Sequence, residues 1–93
     1  MNYIYKAPTF EARVGILEDL INNGYRVGRG TKNCMYSRID FNNEPYIRCD
    51  NEPFITTVSS PSDCDVEVSY DDFINFIYKT NLVCKCEIIH YFK

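Results

Sequence analysis

Near its start, the chain has a stripe of apolar residues with helical spacing. Its members lie three or four positions apart and are Phe10, Val14, Leu17 and Ile21. Residues so spaced share one face of a helix. Thr9 is suited to cap this helix, and Gly24 can end it because glycine tolerates a left-handed backbone. The pattern predicts a helix over 9–23.

A second helical stripe lies late in the chain. Its apolar members are Tyr70, Phe73, Ile74 and Ile77. Ser69 precedes the stripe, and Asp72 follows three residues later, as in a capping box. The pattern predicts a helix that begins after Ser69 and continues to about Lys79.

Shorter segments between and after these helices are rich in β-branched and aromatic residues or alternate apolar with polar positions. They predict strands over 25–27, 34–41, 46–49, 54–58 and 82–92. Residues 28–33 are predicted to form a flexible basic loop. We expect an α+β fold in one domain, 1–93, with an antiparallel sheet of about four to five strands. Two helices would pack on one face, in the order α-β-β-β-β-α-β.

The sequence also gives expectations for the cellular location of the protein and for the redox state of its cysteines. No apolar run approaches the ~20 residues that span a bilayer. The first residues do not have the charged leader and apolar stretch of a signal peptide. We therefore predict a cytoplasmic protein. Its five cysteines are an odd number, which excludes complete pairing within one chain, and we expect free thiols in a reducing compartment.

Charge is distributed unevenly along the chain. Residues 1–38 contain six basic and three acidic residues, whereas residues 39–72 contain one basic and nine acidic residues. A folded surface with one acidic side would attract a partner of opposite charge. The whole chain has a net charge of only −3, and a strong mimic of nucleic acid would be far more acidic.

The order of segments resembles a family of small bacteriophage α+β proteins. The similarity covers about 10–77. It includes the helix that ends in Asn22-Asn23-Gly24-Tyr25, the turn-rich middle, and the late Ser69-Tyr70-Asp71-Asp72-Phe73 segment. Such a resemblance implies a phage origin and an anti-defence or host-takeover role, in which the protein binds and disables host machinery.

The acidic region and this resemblance together give the leading functional hypothesis. The protein would inhibit a host protein by occluding a basic surface, with partial mimicry of nucleic acid. Tyr46 would be an aromatic anchor among carboxylates. The candidate residues are Asp40, Glu44, Tyr46, Asp50, Glu52, Asp63 and Asp65.

An alternative function is the sequestration of an anionic nucleotide signal, as a sponge. Glycines in 28–33 would let backbone amides approach a phosphate. The spacing of a P-loop is missing, and a predicted strand follows, so no helix N-terminus would complete the site. Basic residues would neutralise the ligand and tyrosines would stack on a base. This second set is Arg26, Arg29, Lys32, Tyr25 and Tyr36.

A third hypothesis is an enzyme that uses Cys84 or Cys86 with His90, the only histidine. On a straight strand, Cys86 and His90 would be about 13 Å apart at ~3.3 Å per residue. One zinc ion cannot bind both. A zinc site that joins Cys84 and Cys86 to Cys49 or Cys64 lacks the usual knuckle spacing. We expect a non-enzymatic protein without metal or cofactor.

Assembly depends on the last predicted strand. A strand over 82–92 at the sheet edge would offer unpaired backbone groups to a second copy. A two-fold dimer through this edge and a monomer with a central last strand are both compatible with the pattern.

Overall fold

The computed structural model describes residues 2–50 and 54–77. Its strands and helices in chain order are β1 Asn2–Lys6, α1 Phe10–Asn22, β2 Arg26–Val27, α2 Arg29–Cys34, α3 Arg38–Asn43, β3 Tyr46–Cys49, β4 Phe54–Val58 and β5 Asp65–Glu67. Residues 70–77 form a further helix, α4. The predicted α+β class is confirmed.

The sheet is mixed, with the strand order β2-β4-β3-β1-β5. The pairs β1–β3 and β3–β4 are antiparallel, whereas β2–β4 and β1–β5 are parallel. The expected all-antiparallel meander and the expected element order are therefore wrong. Strand β1 lies between β3 and β5. Its pairing with strands that come much later in the chain has no local signal in the sequence.

Helix α1 confirms the predicted first helix. The Thr9 hydroxyl accepts the N–H of Ala12 at 3.1 Å, which satisfies one of the unpaired amides at the helix start. Gly24 has φ +82°, and its N–H donates to the carbonyl of Ile21 at 3.0 Å. Glycine is needed there because other residues are strained in this conformation.

The hydrophobic core lies where α1 and α4 pack on one face of the sheet. Leu17 of α1 and Phe73 of α4 are fully buried against Ile47, Cys49 and Ile55. Cys49 of β3 pairs directly with Ile55 of β4, so the side chains of Cys49 and Ile55 lie on the same face of the sheet. In α4 the predicted cap is confirmed, because the Ser69 hydroxyl accepts the N–H of Asp72 at 3.2 Å.

Two short helices replace the loop predicted over 28–33 and the strand predicted over 34–41. Helix α2 begins at Arg29, and α3 begins after Ser37, whose hydroxyl accepts the N–H of Asp40 at 3.1 Å. Ile39, an apolar residue of the predicted strand, is 74% exposed on α3. The alternating pattern misled the prediction because local capping and a long-range contact to α1 stabilise a helix here.

Several predictions fall on parts of the chain that the structure does not describe. These are the strand over 82–92, the dimer through that strand, and the residues Glu52, Cys84, Cys86 and His90. Within 2–50 and 54–77, no helix is long and apolar enough to cross a membrane.

Candidate functional site

A cavity in the described part of the molecule lies at the sheet edge between α2, α3 and β4. Its volume is about 480 Å³. Small-molecule sites commonly enclose about 300–1,000 Å³. The lining residues that carry its chemistry are Gly28, Arg29, Thr31, Asp40, Glu44 and Phe54.

One wall of the cavity forms because β2 is shorter than its neighbour β4. The N–H of Gly28 donates to the carbonyl of Ile55 at 2.8 Å, which is the last backbone bond along this edge before α2 begins. Two residues further along β4, the N–H of Thr57 donates to the Thr31 hydroxyl at 3.2 Å. The Thr31 side chain of α2 therefore accepts a backbone N–H of β4 at a position where β2 has already ended.

The opposite wall is fixed by a buried arginine. Arg13 of α1 is fully buried, and its Nη2 donates to Asp40 Oδ2 at 3.1 Å. Its Nη1 donates to the carbonyl of Glu44 at 2.8 Å, at the end of α3. The guanidinium also lies 5.3 Å from the ring centroid of Phe41, within cation–π range. Arg13 thus holds the Asp40 carboxylate and the Glu44 backbone in place and compensates the charge of Asp40.

Glu44 connects this wall to the sheet. Its Oε1 accepts the hydroxyl of Thr57 at 3.0 Å, while its carbonyl binds Arg13. The Thr57 backbone in turn binds Thr31, so one residue of β4 contacts both α2 and the end of α3. The polar groups that line the cavity are held in place by one another.

Phe54 supplies an aromatic surface at the cavity. Its ring lies so close to Gly28 that a Cβ there would be 3.3 Å from both Phe54 Cζ and Thr56 Cγ2. The guanidinium of Arg26 lies 5.8 Å from the ring centroid. Phe54 remains 36% exposed, which leaves part of the side chain accessible to a ligand.

The predicted anionic-ligand set is divided by the fold. Arg29 lines the cavity, and Arg26 packs on its Phe54 wall. Lys32 is exposed on α2. Tyr25 is buried in the core, and the Tyr36 hydroxyl donates to Glu18 Oε2 at 2.8 Å, which raises the pKa of Tyr36. The expectation that residues 28–33 form a loop without a helix N-terminus is wrong, because α2 begins at Arg29.

The predicted acidic set is also divided, and most of its members form bonds within the protein. Asp40 and Glu44 line the cavity. Asp50 accepts the N–H of Phe54 at 3.1 Å, and Asp65 accepts the N–H of Ser62 at 2.8 Å. Lys6 lies 5.9 Å from the Tyr46 ring centroid.

The remaining exposed carboxylates are concentrated late in the described chain. Asp63, Glu67, Asp71 and Asp72 are all exposed, and Val66 and Tyr70 between them are 37% and 46% exposed. Only Asp63 of these was among the predicted site residues. The sequence alone identifies the acidic residues. Which of them are exposed depends on the fold, including β5, a strand that no local pattern predicted.

The described cysteines fall into two environments. Cys34 and Cys64 are exposed, and Cys34 also lines the cavity. Burial, with a smaller contribution from the neighbouring Asp50 carboxylate, raises the pKa of the Cys49 thiol to about 12. Within the described ranges no three His, Cys, Asp or Glu side chains are grouped to hold a metal ion.

Comparison with family models, with curated proteins and with solved structures finds no match for this chain. The resemblance to small bacteriophage proteins stays a prediction. The function must therefore be inferred from the chemistry of the cavity and of the exposed surface.

Proposed function

We propose that the protein binds and sequesters a small anionic ligand of the nucleotide class in the cavity between α2, α3 and β4. The observation that supports this most strongly is the convergence of three kinds of group. A basic residue, Arg29, two acidic residues, Asp40 and Glu44, and the partly exposed aromatic Phe54 line one cavity. A nucleotide has a matching anion, hydrogen-bond donors and a flat base.

Each group has a distinct role in this proposal. Arg29 pairs with a phosphate, to which a guanidinium can donate two parallel hydrogen bonds. Asp40 and Glu44 accept hydrogen bonds from ribose hydroxyls or from amino groups of the base. Phe54 packs against the base, since stacking on an aromatic side chain contributes about 1–3 kcal/mol per base.

The buried Arg13 makes an anionic ligand compatible with a cavity that contains two carboxylates. Its Nη2 lies 3.1 Å from Asp40 Oδ2, and the Asp40 side chain is only 21% exposed. The guanidinium offsets the Asp40 charge from inside the protein, so Glu44 is the one lining carboxylate without an ion pair among the described residues.

Thermal unfolding against a panel of nucleotides tests the proposal. A ligand at 100 times its Kd, if it binds only the native state, stabilises a protein by about 2.7 kcal/mol. For a chain of this size that corresponds to a rise in Tm of roughly 10 °C or more. Arg29→Ala should abolish the rise, whereas Lys32→Ala, a matched loss of charge outside the lining, should preserve it. The absence of a rise with every nucleotide would contradict the proposal.

A second candidate function is the inhibition of a host protein that presents a basic surface, in a phage-type anti-defence role. The observation in its favour is the exposed carboxylates of 63–72. The sequence contains no Lys or Arg between Arg48 and Lys79 to compensate them. Such a complex would weaken as salt rises. Glu67→Lys combined with Asp71→Lys should abolish retention of the host protein at low salt, and unchanged retention would contradict this candidate.

A further inference from the structure

We infer that a second cavity, beside Tyr3 and Phe76, receives an arginine side chain of a basic protein partner. This inference rests on the second function proposed above and specifies its contact. The cavity has a volume of about 340 Å³, and Tyr3, Val68, Asp72, Asn75 and Phe76 line it. It is formed by β1, α4 and the residue that follows β5.

The apolar part of this cavity is built by two aromatic rings. The ring centroids of Tyr3 and Phe76 are 4.2 Å apart with an interplanar angle of 67°, an edge-to-face arrangement that fixes both rings. Val68 is held beside them, because its N–H donates to the carbonyl of Ile4 at 3.0 Å. These side chains offer a surface for the aliphatic part of an arginine, and Tyr3 offers a ring face for its guanidinium.

The polar part comes from α4. Asp72 and Asn75 are three positions apart, so they lie on the same side of the helix. The Asp72 backbone N–H binds the Ser69 hydroxyl, which anchors the first turn. A carboxylate at this position accepts two hydrogen bonds from a guanidinium, and the Asn75 side-chain oxygen accepts another. Among the described residues, no basic side chain forms an ion pair with Asp72.

Charge around this cavity favours a cation. Tyr3 pairs across the sheet with Cys49, while its neighbour Ile4 pairs with Arg48. Because successive residues of a strand face opposite sides, Arg48 and Lys6 point away from the face that carries Tyr3. Helix α4 contains two aspartates and no basic residue over 70–77. Of the described residues that line the cavity, Asp72 alone is charged, and its negative charge complements an arginine of the partner.

Binding of a labelled basic peptide tests the inference. The probe is Lys-Lys-Arg-Lys-Lys, and its control has citrulline, the uncharged isostere, in place of arginine. We expect the citrulline peptide to bind about tenfold more weakly at low salt, since it loses a charged contact at an aromatic and acidic site. Asp72→Asn should remove most of this difference, because the variant no longer discriminates the guanidinium.

Asp63→Asn is the matched variant, since it removes one exposed carboxylate that does not line the cavity. It should keep the tenfold preference for arginine. If both peptides bind the native protein equally, or if both variants weaken binding alike, the arginine site is wrong while the basic-partner proposal stands. If neither peptide binds at low salt, the basic-partner proposal fails and the inference fails with it.

Discussion

The buried guanidinium of Arg13 donates to the carboxylate of Asp40 at 3.1 Å, across the contact between α1 and α3. The same side chain binds the Glu44 carbonyl at 2.8 Å. A residue on the first helix thus sets the position of one wall of the cavity between α2, α3 and β4. This relationship makes the stability of α3 and the geometry of the cavity depend on one ion pair.

Loss of Asp40 should therefore be strongly destabilising. Asp40→Ala leaves the fully buried Arg13 guanidinium without its charged partner, and such a change costs about 3–5 kcal/mol when the pair is buried. Asp40 is 21% exposed, so we expect the lower end of that range. Urea denaturation gives the difference in the free energy of unfolding.

The control for this prediction is Arg38→Ala, which breaks the ion pair with Glu11. Both of those side chains are 69% exposed, and exposed pairs contribute little. Equal destabilisation by Arg38→Ala and Asp40→Ala would show that the Arg13–Asp40 pair is not buried as described.

How far the sequence predicts this structure differs between elements. Helix α1 was predictable because its apolar stripe, its Thr9 cap and its final glycine all indicate the same helix. Segment 34–41 was not, because Met35, Ser37, Ile39 and Phe41 alternate as in a strand. Its helix depends on Ser37 capping and on Arg13, which lies more than twenty residues earlier in the chain.

The candidate site was predictable in its parts and not in its arrangement. Arg29 and the pair Asp40 and Glu44 were assigned to two different sites from charge and glycine content. The fold brings them into one cavity, since α2 and α3 both pack beside β4. Phe54 was not predicted as a site residue, because only the close approach of Gly28 shows that its ring lines the cavity.

Two glycine substitutions should have opposite effects on stability. Gly15 lies within α1, and a Cβ there would meet nothing within 4 Å. Gly15→Ala should therefore stabilise the protein by about 0.5–1 kcal/mol, as expected for the higher helix propensity of alanine. Gly24 has φ +82°, so Gly24→Ala should destabilise by about 1 kcal/mol. Thermal unfolding should show a higher Tm for Gly15→Ala and a lower Tm for Gly24→Ala. A change of Tm in the same direction for both variants would contradict the assigned end of α1.

The bond between Thr31 and Thr57 can be tested by a pair of substitutions at Thr31. Thr31→Val keeps the size of the side chain but removes the hydroxyl that accepts the Thr57 N–H at 3.2 Å. A buried donor left without a partner costs about 1–3 kcal/mol, and because this bond is only partly buried we expect a loss of about 1 kcal/mol. Thr31→Ser keeps the hydroxyl and should lose less stability. If Thr31→Val is as stable as the natural protein in urea, α2 does not cover the β4 edge in this way.

The Cys49 thiol should resist alkylation. Its pKa is raised to about 12 by burial, whereas an ordinary thiol titrates near 8.5, so the reactive thiolate is scarce in the folded state. At pH 8 we expect iodoacetamide to modify Cys34 and Cys64 and to spare Cys49, as followed by peptide mass spectrometry. Modification of Cys49 at the rate of Cys64 would contradict its burial.

The same shift predicts a loss of stability in alkaline solution. The folded state holds the Cys49 proton more tightly than the unfolded chain does, so folding favours the protonated form. Its contribution is complete below about pH 8.5 and decreases as pH rises towards the folded pKa of about 12. Between about pH 8.5 and 9.5 the free energy of unfolding should therefore fall more steeply in the natural protein than in Cys49→Ala. An equal dependence on pH in the natural protein and in Cys49→Ala would contradict the raised pKa of the Cys49 thiol.

The most direct test of the central claim is to map the backbone amides that respond when a nucleotide is added. In ¹H–¹⁵N NMR spectra, the ligand that raises Tm should shift the amides of Gly28, Gly30, Thr31 and Thr57, and Arg29→Ala should abolish these shifts. The amides of β5 should stay unchanged. Shifts confined to residues away from α2, α3 and β4, or the same shifts in Arg29→Ala, would contradict binding in this cavity.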